Sequence, residues 1–232
     1  RHPHFYFCVI SMNDEIHEIL KLPDLPVIEI VDDLVQVYKE FMVVSAALKL
    51  DVFSWLAENG PATPEKAAAG TGIRPEYMTS LLGMLYYLDM VRKAGDEFSI
   101  SPAARMHFVK SSPFYQGDYI MSLIHEDSPW HDLETYLTSP EKKQIFDPSA
   151  SAVKADANHA LRGTIQQVTN VLKTWDGFNK ARTMIEVNGG HGLYAIAACQ
   201  NNFFEQALIT TYEESLVRKY ISDKNVNVLY IH

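Results

Sequence analysis

The sequence predicts an α/β fold: a mostly helical front part in winged-helix order, then three strands alternating with helices. Three observations carry this expectation. Apolar residues recur at helical spacing through most of residues 30–88. Two short runs, 90–93 and 97–100, flank an Ala94-Gly95-Asp96 turn, the pattern of a small hairpin. From Thr183 onward, apolar runs rich in β-branched residues alternate with helical stretches, which implies a parallel sheet with crossovers.

The elements follow in order. Residues 12–22 read as an amphipathic helix with Ile16, Ile19 and Leu20 on one face, after which Pro23 and Pro26 break the chain. A long helix is expected over 30–56, apolar on more than one face through Val31, Leu34, Tyr38, Phe41, Leu48 and Phe53. A helix apolar all round calls for a partner surface, so a homodimer is expected. Asn59-Gly60-Pro61 ends it. Thr63 suits an N-cap, Pro64 a first helical turn and Gly70 a stop. A further helix spans 74–88, with Tyr77, Leu81, Leu82, Leu85 and Leu88 on one side, ahead of the hairpin.

Residues 103–181 read as mostly helical, with breaks at Ser111-Ser112-Pro113, Ser128-Pro129 and Asp147-Pro148. Then come a strand at 183–187, a helix at 193–200, a strand at 206–211, a helix at 214–223 and a strand at 226–231. The divisions are an N-terminal extension (1–29), a winged-helix domain (30–110), a helical linker (111–181) and a partial Rossmann-like domain (182–232). Residues 1–11 precede Met12 and lack a small-residue cleavage site, so they read as an extension outside the fold rather than a signal peptide.

Composition narrows the function classes. The 232 residues are 47% hydrophobic and 21% charged, enough apolar material for a core. A formal charge of −9 argues against a nucleic-acid partner, which needs clustered Lys and Arg. No apolar run reaches the ~18 residues a membrane span requires, so no membrane partner is expected. Cys8 and Cys199 stand far apart in unrelated segments, which fits a reducing cytoplasm better than a disulfide framework.

One motif carries chemistry. Glu186-Val187-Asn188-Gly189-Gly190-His191-Gly192 bends between the first strand of the sheet and its helix, where backbone N–H groups and a helix N-terminus can approach a ligand. Two cofactor readings compete. Gly190-x-Gly192-x-x-Ala195 fits a dinucleotide fingerprint. The alternative, an acidic residue four ahead of Gly-x-Gly, is the S-adenosylmethionine pattern. A carboxylate in the turn suits an ammonium group and repels a pyrophosphate. A sharp strand-to-helix turn with no ligand is the third possibility.

The chain from about residue 30 resembles the small-molecule O-methyltransferases that carry a winged-helix dimerisation domain, the group of plant phenylpropanoid and bacterial polyketide-tailoring enzymes. Four blocks match in order: residues 41–53, residues 63–68 with 77–82, residues 128–146 beginning Ser128-Pro129-Trp130-His131, and the 186–192 bend. The resemblance implies a class I methyltransferase domain with S-adenosylmethionine as cofactor, held by Glu186, Asn188, Gly189, Gly190 and Gly192. It places the family's ribose-holding acid at Thr211, where Glu213 or Glu214 would substitute, with Glu213 taken as the ribose ligand, and it puts Trp130 and Tyr136 in an acceptor pocket. Three departures stand out: Asn188 replaces a glycine, His191 a threonine, and Thr211 an aspartate. Asn tolerates the left-handed backbone such a turn requires. The resemblance places the family's catalytic base beyond His232, so no catalytic residue is assigned. Three strands alone would leave the first as an edge, which favours a truncated chain.

No metal is expected. His125-Glu126-Asp127 with His131-Asp132 is dense in potential ligands but lacks a ligand spacing, and reads as a polar loop. The activity implied is methyl transfer to a hydroxyl of a small molecule. The alternatives are a degenerate, non-catalytic dimerisation or adaptor module, and a winged-helix regulator, whose would-be recognition helix holds Arg74 as its one basic group.

Overall fold

The computed structural model describes residues 25–138, 149–202, 204, 206–211 and 226–230. The expected helix at 12–22, the strand residue Ile231 and the helix at 214–223 lie outside them. Two compact units divide the chain, Arg1–Met42 and Val43–His232.

The first unit is occupied by helix α1 (Leu25–Lys49), which continues into the second. Pro26 does not break the chain as expected; it sits in the first turn of α1, where the missing N–H is lost at no cost because first-turn donors have no helical partner. Ile30, Val31, Leu34, Val35, Val37 and Tyr38 are all exposed.

Within the second unit, the single helix expected over 30–56 is two. α1 stops at Lys49, and α2 (Val52–Asn59) starts after Asp51, whose φ of 58° is left-handed. Asp accepts that conformation at lower cost than bulky residues. α3 (Pro64–Thr71) is capped by the Thr63 side chain, which accepts from Lys66 N. It ends at Gly72 (φ 73°), whose N–H donates to Ala68 O; Gly70 lies inside the helix, not at its stop. α4 (Pro75–Tyr87) follows, then the hairpin of β1 (Val91–Ala94) and β2 (Glu97–Ile100). On α4 the buried residues are Met78, Leu82 and Leu85; Tyr77, expected on that side, is exposed. With Val44, Ala47, Leu48, Val52, Phe53 and Leu56 these make the first core.

Helices α5 (Pro102–Phe108), α6 (Gly117–Leu123), α7 (Leu133–Thr138), α8 (Ala150–Ala160), α9 (Thr164–Lys173) and α10 (Asp176–Lys180) follow between the hairpin and the next strand. Ser101 and Ser149 cap α5 and α8 by accepting from Ala104 N and Ala152 N. Strands β3 (Thr183–Glu186), β4 (Gln206–Thr211) and β5 (Val226–Tyr230) form a parallel sheet in the order β3-β4-β5, with α11 (Leu193–Asn201) as the crossover from β3 to β4. Among the described strands β3 is therefore at a margin, and Ile185 and Val187 are exposed. A second core joins α8 to α11 and the sheet through Ala157, Ala160, Leu193, Ile196 and Ile209. Among the described residues no helix is long and apolar enough to cross a membrane.

Candidate functional site

The parallel sheet brings the carboxyl end of β3 beside that of β4, and the chain turns there before entering α11. Three residues of the turn take positive φ: Asn188 at 57°, Gly190 at 51° and Gly192 at 70°. Asn188 thus adopts the left-handed backbone expected of it. The turn closes on itself through Gly192 N donating to Gly189 O at 2.7 Å. Thr210 of β4 ties it to the sheet. Its Oγ1 donates to Glu186 O at 2.8 Å and accepts from Gly189 N at 3.3 Å.

Glu186 points inward. Its Oε1 accepts from Ala195 N at 3.3 Å, and its Oε2 is buried with no hydrogen-bond partner. Burial pushes its carboxyl up to about 7, against a smaller downward pull from the Ala195 N–H. Gly189 leaves no room for a side chain: a Cβ there would collide with Glu186 Oε2 and with the backbone oxygen of Thr210. Gly190 is different, because a Cβ would meet only Asp156 Oδ2, at 4.0 Å. The bend is therefore packed on its Gly189 side and open on its Gly190 side.

His191 is 3% exposed. Its Nδ1 accepts from Leu193 N at 3.0 Å, which puts the ring proton on Nε2, and Nε2 faces Asp156 Oδ2 at 3.8 Å. Burial lowers its basicity more than Asp156 raises it. The Tyr194 ring packs on it at 5.4 Å, and the Tyr194 hydroxyl is raised by burial and then by Asp156.

The structure gathers Glu186, Asn188, Gly189, Gly190 and Gly192 into one bend. Glu213 lies outside the described residues. Trp130 is 68% exposed in the turn before α7, and Tyr136 is half-buried on α7. Neither lines the cavity of about 170 Å³ formed by residues including Tyr115, Asp118, Lys154, Asn158, Leu161 and Leu193. The His125 ring faces Asp127 of its own loop, at 3.3 Å, and among the described residues no three His, Cys, Asp or Glu converge on one point. Sequence reasoning missed Asp156 and Thr210. They arrive from 34 and 20 residues away from Gly190, and no local pattern marks either.

The uncrowded Gly190 and the carboxylates of Glu186 and Asp156 on either side of the bend suit a ligand with a cationic end.

The family model for the O-methyltransferase dimerisation domain matches residues 32–110. An uncharacterized protein of Methanocaldococcus jannaschii is 22% identical over 222 residues, 90% of this chain and 59% of its own length. Among solved structures, an O-methyltransferase family protein from Burkholderia thailandensis superposes with a TM-score of 0.70 at 24% identity, covering 91% of this chain and 65% of that one. Human N-acetylserotonin methyltransferase, solved in complex with S-adenosylmethionine, gives 0.62 at 15%, covering 96% and 67%. The chain thus spans about six tenths to two thirds of the length of these proteins. Residues 32–110 match the O-methyltransferase dimerisation domain, and 91% of the chain shares the fold of a solved O-methyltransferase family protein.

Proposed function

We propose that this protein takes part in S-adenosylmethionine-dependent methyl transfer to a hydroxyl of a small molecule, and that it acts as a homodimer. The observation that carries the reading is the 186–192 bend, set in left-handed backbone and open beside Gly190. In this reading α2 to α4 with the β1–β2 hairpin form a winged-helix dimerisation module (30–110), residues 111–181 form a helical linker, and β3 to β5 are the first strands of a Rossmann-like domain (182–232).

When bound, the cofactor supplies a methyl group on a sulfonium. The chain's own contribution is placement. Backbone at Gly189, Gly190 and Gly192 lets the ligand approach closely, Asn188 sets the turn, and Glu186 adds negative potential beneath it. Glu213 is assigned to the ribose hydroxyls, and Trp130 and Tyr136 to the acceptor side. Holding two reactants in register is the largest service such a scaffold offers, since oriented proximity alone removes about 7–11 kcal/mol of a bimolecular barrier.

The regulator reading has little support. α4 contains no basic residue, and Arg74 at its N-terminus stacks on Tyr77 at 4.3 Å and faces Glu76 at 3.6 Å. Titration calorimetry of the full-length protein with S-adenosylmethionine or S-adenosylhomocysteine tests the proposal. Saturable heat with either is expected. A flat trace with both, at protein concentrations well above micromolar, ends it.

A further inference from the structure

Two carboxylates flank the bend, and the geometry separates their roles. Glu186 lies on the closed side: one oxygen accepts from Ala195 N, and the other, without a hydrogen-bond partner, is buried against Gly189. Asp156 is available. It stands on α8 with its side chain 70% exposed, and its Oδ2 is the one atom that the open side of Gly190 faces within 4 Å. α8 is held in place by Ala157 and Ala160, which pack with Leu193 and Ile196 of α11, so the carboxylate's position relative to the bend is set by core packing.

We infer that the Asp156 carboxylate, oriented by the Nε2–H of His191, receives the ammonium end of the ligand at this bend. The inference rests on the methyltransferase reading above. His191 is a positioning residue: at 3.8 Å its Nε2–H orients the carboxylate through the electrostatic field rather than by a hydrogen bond, which leaves the carboxylate lone pairs for a ligand. Burial keeps the ring neutral, so it does not cancel the charge of Asp156. The Leu193 N–H on Nδ1 fixes which nitrogen carries the proton.

The test compares two ligands by calorimetry on the full-length protein. S-adenosylhomocysteine carries the amino-acid end; 5′-methylthioadenosine keeps the nucleoside and thioether without it. Asp156→Asn is expected to weaken S-adenosylhomocysteine about tenfold, the loss of one charged hydrogen bond, and to leave methylthioadenosine unchanged. His191→Asn keeps an oxygen that can accept from Leu193 N–H but removes Nε2. It is expected to weaken S-adenosylhomocysteine alone, by about threefold, the scale of a screened charge effect. Equal effects of Asp156→Asn on both ligands, or none on either, overturn the assignment. So does Glu186→Gln separating the two ligands where Asp156→Asn does not. Failure of the unmodified protein to bind either ligand overturns the methyltransferase reading instead.

Discussion

Burial holds the Glu186 carboxyl near 7 in the folded chain, against an ordinary value of 4.5. Between those values the native state keeps a proton that the unfolded chain has released. Stability contributed by this group is complete below 4.5 and is lost as pH rises through about 7. Urea midpoints measured across that window should fall with rising pH, and Glu186→Gln should flatten the slope. A slope unchanged in the variant would show that another group sets it. The neighbouring glycines separate two physical costs. Gly190→Ala should lose about 1–2 kcal/mol for the left-handed backbone alone, because space is open there. Gly189→Ala has no such strain but meets the backbone oxygen of Thr210, which cannot move aside without shifting β4, so a loss of about 1–3 kcal/mol with displacement of the bend is expected. Thermal melts and S-adenosylhomocysteine titrations of the two variants check this, with the larger direct binding defect in Gly190→Ala, whose Cβ would enter the space beside Asp156. The bend itself was readable because glycine and asparagine announce positive φ. The place of Asp156 beside the bend was not, because core packing between α8 and α11 sets it, and packing leaves no mark in local spacing.

At the scale of elements, local chemistry predicted what tertiary contacts did not override. Thr63 caps α3 as its place before Pro64 implies, and Thr63→Ala should cost about 1 kcal/mol in urea unfolding. Leu82→Ala, at a site with no exposure beneath α4, should cost about 2–5 kcal/mol. The strand at 206–211 lies where its apolar run placed it. The break between α1 and α2 escaped prediction because Leu50 and Asp51 fall in helical spacing; only the left-handed φ of Asp51 ends the helix, and an aspartate does not advertise that as a glycine does. There the Asp51 carboxylate meets Lys110 Nζ at 3.1 Å, a long-range contact invisible in the sequence. Met78 was likewise missed, since Tyr77 beside it competes for the same face and the larger aromatic lies exposed.

At the scale of the whole molecule, the division into a helical front and a parallel sheet was legible because the apolar period changes from that of a helix to that of buried strands near residue 183. A helix apolar on several faces anticipates Leu34, Val35 and Tyr38 standing exposed on α1, the surface that the proposed homodimer would cover. Leu34→Asp should therefore shift the protein from dimer toward monomer in sedimentation velocity, with little change in the circular dichroism of the monomer. An unmodified protein that sediments as a monomer at all concentrations would remove the homodimer from the proposal. The hydroxyl of Thr210, which both gives to Glu186 O and takes from Gly189 N, has a consequence for recognition. One oxygen rivets the turn to its neighbouring strand, so the two move as a single stiff piece. For the proposed cofactor such a turn is a seat shaped in advance, which lowers the affinity spent on ordering a loop.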